Sequence, residues 1–331
     1  MKGRSLRVAV IAGGPSTEAS VSRASATGVV SALGEAGHDA TVVELSSDLP
    51  AQLFSGRYEV VFPAVHGRLG EDGCLQGLLE VMGVPYVGSG VLASALAMSK
   101  PHAKAQFRRV GLPVAADAVV NWGEDVVARA ASIREELGRS VVVKPGGGGS
   151  AIGVELIGPD VPNDAFARAL TRALDLDSVV LVERMIAGKE VTCSVLEDDV
   201  GAARALSPTL ILPQAAGFYD FRSKYAPEGS VHQCPPPFSA VLVQSIQRAA
   251  LGAHAVLGCR DLSRVDFVVD DAAGQITLLE VNTLPGMTAT SLFPEAAAVS
   301  GIPFPELCDG LVRRAHARPR ATDPFAPPMP T

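Results

Sequence analysis

The chain has 331 residues, of which 47% are hydrophobic and 19% charged, enough for two or three domains with sizeable cores. A net charge of −7 argues against a nucleic-acid surface or an anionic membrane as main partner. Five scattered cysteines with no Cys-x-x-Cys pair read as reduced thiols of a cytoplasmic protein, and no signal peptide or membrane span is expected.

Leu6-Arg-Val-Ala-Val-Ile-Ala predicts a strand that ends at the turn Gly13-Gly14. A helix follows, with Val21, Ala24, Ser25, Gly28, Val29, Ala32, Leu33 and Ala36 on one face and Gly37 as its C-cap. Gly13-Gly-Pro-Ser-Thr-Glu18 lacks the G-x-G-x-x-G spacing, so a nicotinamide or flavin site is rejected. Glu18 stands at the helix start, either as a capping residue or as the partner of a substrate ammonium. Strands at 41–45 and 58–65 follow, the second running into His66 in a glycine-rich loop, and a helix is expected over 74–82. Alternating strands and helices predict a parallel sheet whose ligand-facing loops leave the strand C-termini, with His66 among them.

Residues 99–115 read as helix and then loop. From Arg139 the pattern becomes strand, glycine loop, strand, with a helix over 164–174 and a strand over 178–183. The loop is Lys144-Pro-Gly-Gly-Gly-Gly-Ser150-Ala-Ile-Gly153. Its backbone N–H groups suit phosphate oxygens, but Lys144 precedes the glycines, so it is not a Walker A loop. Glu183 and Glu190 flank a turn after the next strand, where an adenine would meet a strand edge and a carboxylate the ribose hydroxyls. A long Pro- and Gly-rich segment near 213–238 holds Ser223-Lys224-Tyr225 and reads as a lid. A helix over 240–257 and a Pro-rich tail beyond Arg318, expected to be disordered, complete the pass.

The densest chemistry lies in a predicted hairpin, Ser263-Arg-Val-Asp-Phe-Val-Val-Asp and Ile276-Thr-Leu-Leu-Glu-Val-Asn, joined by a turn with Gly274. Residues two apart share a strand face, so Arg264 pairs with Asp266 and Glu280 with Asn282. Two carboxylates and an amide suit Mg²⁺, and the adjacent guanidinium suits a phosphoryl group or an oxyanion.

Taken together the motifs resemble the ATP-grasp superfamily and, within it, the D-alanine–D-alanine ligases. The resemblance rests on Ala12-Gly-Gly-Pro-Ser-Thr-Glu, Val65-His-Gly-Arg-Leu-Gly-Glu-Asp-Gly, Val84-Pro-Tyr-Val-Gly-Ser-Gly through Lys100, Lys224-Tyr225, and Glu280-Val-Asn-Thr-Leu-Pro-Gly through Leu292. It runs from about Arg7 to about Arg314. It implies an α/β (α+β) three-domain fold: a Rossmann-like parallel sheet over 1–98, a small central α+β domain over 99–186, a C-terminal α+β domain over 187–317, and a tail over 318–331. It implies ATP-dependent joining of two D-alanines for peptidoglycan synthesis, with two Mg²⁺ (or Mn²⁺) ions, and leaves a homodimer open. By motif, Lys100, Lys144 and Lys224 would meet the ATP phosphates. Glu183 and the backbone near Arg184 and Ile186 would hold adenine, and Glu190 ribose. Asp266, Glu280 and Asn282 would bind metal. Glu18 would hold the first ammonium, joined by Ser150 and Tyr225, with His66 nearby. Ser291 and the Leu292 backbone would take the second carboxylate, and Arg264 and the Gly286 N–H the oxyanion.

The sequence also departs from the family. Gly146–Gly149 replace larger polar residues, so an extra-flexible phosphate loop is expected. Ala151 stands where a small polar residue is usual, and His232 and Gln233 stand where aromatic character is expected. Lys224-Tyr225 favours an amine over a hydroxyl acceptor, while the departures keep open a ligase of other amino acids, such as D-alanine with D-serine. A catalytically silent ATP-binding module would lack the lysines or the metal ligands, and all are present.

Overall fold

The computed structural model describes residues 4–16, 18–213, 230–288 and 290–318. Strand β1 (Arg7–Ala12) lies between β2 (Asp39–Glu44) and β3 (Val60–Pro63), all parallel, the register running Val8↔Ala40 and Val8↔Val60. Helix α1 (Ala19–Ala36) follows the first turn and ends at Gly37, whose left-handed φ of 93° releases the chain. Helices α2 (Leu49–Gly56) and α3 (Cys74–Met82) complete this unit. The buried face of α1 is Ser22, Ser25, Ala26, Val29, Ala32 and Leu33, rotated from the expected one: Val21 is only half-buried and Ala24 exposed. Ser22 causes the difference. Its hydroxyl donates to the Ala64 carbonyl at 2.7 Å and accepts the Gly13 N–H at 2.8 Å, so a polar residue turns inward to tie the turn to β3.

Helices α4 (Val91–Met98) and α5 (Lys100–Arg109) lead to β4 (Asp117–Asn121), α6 (Val126–Leu137), β5 (Val141–Pro145), β6 (Glu155–Ile157), α7 (Asn163–Leu174) and β7 (Val179–Arg184). The sheet order is β4-β7-β5-β6, antiparallel, with α6 and α7 packed together on it. Asp125 caps α6, accepting from the N–H groups of Val127 and Ala128. Ile133, Val143, Phe166, Leu170 and Val182 fill the core between helices and sheet. Asn163–Leu174 and Val179–Arg184 fall within a residue of the expected helix and strand.

The third sheet holds β8 (Lys189–Glu197), β9 (Ala203–Ala205), β10 (Thr209–Pro213), β11 (Ser230–Gln233), β12 (Leu262–Asp270) and β13 (Gln275–Asn282) in the order β11-β10-β8-β12-β13, with β9 on β8. Helix α8 (Ala240–Leu257) covers it. It is long and apolar enough to cross a membrane, but its Leu242, Ile246, Ala250 and Leu257 are buried with Val265, Phe267 and Leu278 of the sheet. Ala103 and Phe107 of α5 join this same core. The chain closes with α9 (Leu292–Val299) and α10 (Phe304–Ala317), and α10 packs back on α1 with Leu311 and Val312 in the first core. Mixed parallel and antiparallel sheets with flanking helices agree with the α/β (α+β) reading.

Arg318, just after α10, is held in place. Its guanidinium donates to Asp261 at 2.6 Å and to the Tyr86 carbonyl at 3.1 Å, while the expected tail beyond it lies outside the described residues. Asp261 is fully buried, sits in the left-handed region at φ 62°, and also accepts the Gly88 N–H at 2.7 Å. One carboxylate thus joins the first unit, the large sheet and the end of α10. Asp261→Asn keeps the shape and tolerance of left-handed backbone but removes the charge. It is expected to cost about 2 kcal/mol in urea unfolding, as for a broken buried charge pair with partial relaxation. A loss below about 0.5 kcal/mol, ordinary for a surface pair, would contradict this role.

Candidate active site

The hairpin of β12 and β13 forms as expected, with Arg264 opposite Asn282 and Asp266 opposite Glu280. Past that point the register shifts, and Phe267 faces Leu278, leaving Leu279 as a bulge. The bulge has a packing cause. Leu278 shares strand parity with Glu280, and a regular strand would put it on the polar face. With Leu279 extra, Leu278 is buried beside Phe267 and Val265, and Leu279 lines the cleft.

Arg264 donates from Nε to Asp266 Oδ1 at 3.0 Å and from Nη2 to Oδ2 at 2.9 Å, a bidentate pair. Asp266 Oδ1 also accepts from Thr192 Oγ1 at 2.7 Å, and Oδ2 from Asn282 Nδ2 at 3.0 Å. Asn282 therefore turns its amino group to Asp266. Hard oxygen donors of two carboxylates and an amide fit a small divalent cation that keeps water and phosphate ligands. Lys100 Nζ approaches Glu280 at 3.5 Å and donates to the Gly148 carbonyl at 2.7 Å.

In the glycine loop, expected to be extra-flexible, three successive N–H groups have hydrogen-bond partners. Gly146 N–H donates to the Val179 carbonyl at 2.7 Å, Gly147 N–H to Asp177 Oδ2 at 2.6 Å, and Gly148 N–H to Met98 Sδ at 3.3 Å. Gly146 O in turn accepts the Lys100 N–H at 2.8 Å. A Cβ on Gly146 would stand 2.8 Å from the Val179 carbonyl, so glycine is needed for this close approach. Beyond it Ser150 and Ala151 adopt left-handed φ of 54° and 56°, at about 1 kcal/mol each. The Ser150 hydroxyl donates to Glu18, across from one unit to the next. A Cβ on Gly67 would lie 3.3 Å from the Glu18 carboxylate, so the His66 loop converges there too.

His66 is buried, its Nδ1 3.9 Å from Glu71, while its Nε2 has no hydrogen-bond partner among the described residues. Burial opposes the imidazolium, but Glu71 and then Glu18 outweigh it, Arg264 acting against them, and its pKa lies above the usual histidine value. Glu183 is buried between Lys104 and Lys144, both ion-paired to it. Burial alone would raise its pKa. The lysines reverse this and hold it at about 2. The pairing therefore adds stability at and above the ordinary carboxylate pKa, and that stability is lost as pH falls towards 2.

One cleft is lined by Lys100, Lys144, Gly147–Gly149, Glu190, Arg264, Asp266, Glu280 and Leu292, with Val154, Ile211 and Phe267 as apolar wall. It brings most of the expected phosphate and metal residues together. Glu183 sits behind Lys144, and Arg184 points away, donating Nε to the Leu137 carbonyl at 3.1 Å and its backbone N–H to Ala116 at 2.8 Å. Ile186 lies half-buried in the turn after β7. Gly286 abuts Ser291, where a Cβ would fall 2.9 Å from the hydroxyl, and Ser291 Oγ accepts the Thr288 N–H at 3.0 Å at the start of α9. His232 and Gln233 form β11, and His232 Nδ1 meets Glu295 of α9 at 2.8 Å, so a polar residue here anchors the strand to that helix. Lys224 and Tyr225 lie outside the described residues. Sequence reasoning missed Lys104, Thr192 and Asp177. Lys104 follows Lys100 by one helical turn and Thr192 shares a strand face with Glu190, so spacing carried a signal for both.

The family described as D-ala D-ala ligase C-terminus matches residues 106–313, and that described as D-ala D-ala ligase N-terminus matches 47–89. The chain is 43% identical over 315 residues to the D-alanine–D-alanine ligase of Desulforamulus reducens, covering 94% of this chain and 98% of that one. The chain belongs to the D-alanine–D-alanine ligase family. The Geobacter sulfurreducens ligase is likewise 43% identical, over 95% of this chain and 96% of that one. The crystal structure of the Bacillus anthracis D-alanine–D-alanine ligase complexed with ATP superposes with a TM-score of 0.80 at 30% identity, covering 94% and 97% of the two chains. The Coxiella burnetii ligase gives 0.78 at 27% identity, over 95% and 96%. The ATP-grasp fold of this ligase family is thereby established for the chain.

For a family member with a tethered phosphate loop, Asp177→Ala should free the Gly147 N–H and weaken adenine-nucleotide binding about tenfold, the worth of one charge-assisted bond. Titration with ADP would show it. Unchanged affinity would mean that the tether does not shape the phosphate site.

Proposed function

We propose that the protein joins two D-alanines to D-alanyl-D-alanine at the expense of ATP, through an acyl phosphate. The observation that carries this reading is the convergence in one cleft of Lys100 and Lys144 with Arg264, Asp266 and Glu280, beside the Glu18–Ser150 contact. In this reading Lys100, Lys144 and Lys224 hold the ATP phosphates. Glu183 and the backbone near Arg184 and Ile186 hold adenine, and Glu190 the ribose. Asp266, Glu280 and Asn282 would hold two Mg²⁺ (or Mn²⁺) ions, which when bound neutralise charge on the transferred phosphoryl group.

Glu18 binds the ammonium of the first D-alanine, with Ser150 and Tyr225 completing a hydrogen-bonded network and His66 offering its Nε2, which has no hydrogen-bond partner among the described residues. The carboxylate oxygen of that D-alanine attacks the γ-phosphorus, the bond to the bridging oxygen breaks, and ADP leaves. Ser291 and the Leu292 N–H, at the start of α9, receive the carboxylate of the second D-alanine. Its amine attacks the acyl carbon, and negative charge grows on the former carbonyl oxygen. Arg264 and the Gly286 N–H stabilise that charge. The carbon–oxygen bond to phosphate then breaks and the attacking nitrogen gives up a proton, to Tyr225 or to a phosphate oxygen, leaving the dipeptide and inorganic phosphate. The product serves peptidoglycan precursor synthesis in the cytoplasm.

Purified protein with ATP, Mg²⁺ and D-alanine should release phosphate, with D-alanyl-D-alanine identified by mass. D-serine, D-lactate and L-alanine run alongside should give little product. Turnover with one of these and silence with D-alanine would keep the chemistry and overturn the substrate. Glu280→Gln, isosteric with a lost charge, should reduce turnover by at least 100-fold, in the range seen when a group that stabilises transition-state charge is removed. Near wild-type turnover with a normal thermal melt would remove Glu280 from the metal set. Tyr225→Phe should shift the preference between amine and hydroxyl acceptors more than ATP affinity, and an unchanged preference would count against its place beside the second substrate.

A further inference from the structure

Charge continues behind the cleft, away from the residues that would meet phosphate and metal. Lys104 is almost wholly buried and ion-pairs with Glu183 on one side, and lies 3.5 Å from Asp117 on the other. Arg108, one turn further along α5 and half-exposed, closes the run by pairing with Asp117. At the other end Lys144 pairs with the second Glu183 oxygen and lines the cleft. The five groups therefore form an unbroken alternation from surface to cleft: Arg108, Asp117, Lys104, Glu183, Lys144.

The strand register explains why Lys104 is there. Asp117 and Glu183 face each other directly across β4 and β7. Two buried carboxylates in that relation repel, and a cation between them is required for both to be ionised. Lys104 Nζ meets Glu183 Oε1 while Lys144 meets Oε2, so the two lysines divide the carboxylate between them. Lys144 is the partner beside the phosphates, and a triphosphate would compete for it. Lys104 is almost wholly buried and does not line the cleft, so it has no such competitor.

We propose that Lys104 is a positioning residue for recognition of the nucleotide base: it holds Glu183 ionised and aimed at the 6-amino group of adenine while Lys144 turns to phosphate. The inference rests on the reading of Glu183 as the adenine contact. A carboxylate oxygen has two lone-pair directions, so Oε1 can accept from Lys104 and from an amine together. Inosine triphosphate carries an oxygen at that position and meets the same carboxylate with no donor. A held Glu183 therefore favours ATP over inosine triphosphate, and a loosened one discriminates less.

The test compares kcat/KM for ATP and for inosine triphosphate in the full-length wild type, Lys104→Met, Lys104→Arg, Asp117→Asn and Glu183→Gln, with thermal melting as the check on folding. Lys104→Met should lower the ATP-to-inosine ratio about tenfold, mainly through the KM for ATP, and Lys104→Arg should restore most of it. A merely structural role would lower both nucleotides together, and an unchanged ratio in a folded Lys104→Met protein overturns the proposal. If Lys104→Met does not fold, Asp117→Asn decides: it removes one anchor of Lys104 and should lower the ratio about threefold, and no change overturns the proposal. A ratio that falls in Glu183→Gln but not in the Lys104 variant sinks the role of Lys104 alone. A ratio unchanged in both removes the adenine role of Glu183 as well.

Discussion

Two carboxylates set opposite each other on neighbouring strands need cations between them, and the cleft is organised around two such pairs. Asp117 faces Glu183 in the four-stranded sheet, and Asp266 faces Glu280 in the large sheet. Like charges so placed destabilise a sheet unless they are compensated. The compensation comes largely from one helix. Lys100, Lys104 and Arg108 recur every four residues along α5, and they meet Glu280, Glu183 with Asp117, and Asp117 in turn. Lys144 and Arg264 supply the rest, one from each sheet. The helix is fixed by Ala103 and Phe107, which pack into the core of the large sheet, so the cationic ridge lies between the sheets by virtue of its apolar side.

This arrangement explains how a strongly charged site is tolerated by the fold. Burying unpaired charge is costly, and each acid here meets a base or a hydroxyl. A triphosphate with its cations would enter by exchanging partners: phosphate for carboxylate at Lys100 and Lys144, metal for guanidinium at Asp266. The same exchange would leave Arg264 to meet an oxyanion. The backbone is shaped for this. The glycine loop is tied by Val179, Asp177 and Met98, with its Ser150 joined to Glu18 of the first unit. In the proposed reading, nucleotide and first amino acid would be read by adjoining residues of one loop.

Much of this was legible in the sequence, for identifiable reasons. The hairpin was marked by period-two alternation and a glycine turn, and Arg264 and Asp266 share a face as that period requires. Helix α8 fills the expected range 240–257 and ends at Gly258 in a left-handed cap. The ordered motifs led to the ligase family, which the relatives establish. The bulge at Leu279 was not legible, because only the packing of Leu278 against Phe267 decides which side of β13 turns inward. The tether of the glycine loop was not legible either, since it joins Gly147 to Asp177, 30 residues away, through a turn. The inward face of α1 differs from the expected one because Ser22 is polar and is buried for its two hydrogen bonds. The stripe on α5 had a readable spacing, yet a lysine four residues from another reads first as a solvated face.

In the proposed reaction the carboxylate of one amino acid is phosphorylated, and the amine of another then displaces the phosphate from its acyl carbon. D-alanine labelled with ¹⁸O in its carboxylate tests this directly in the presence of ATP and Mg²⁺. The account requires one labelled oxygen to appear in the inorganic phosphate for each dipeptide formed, because that oxygen bridges carbon and phosphorus in the acyl phosphate. Dipeptide formed with no label in the phosphate would contradict it.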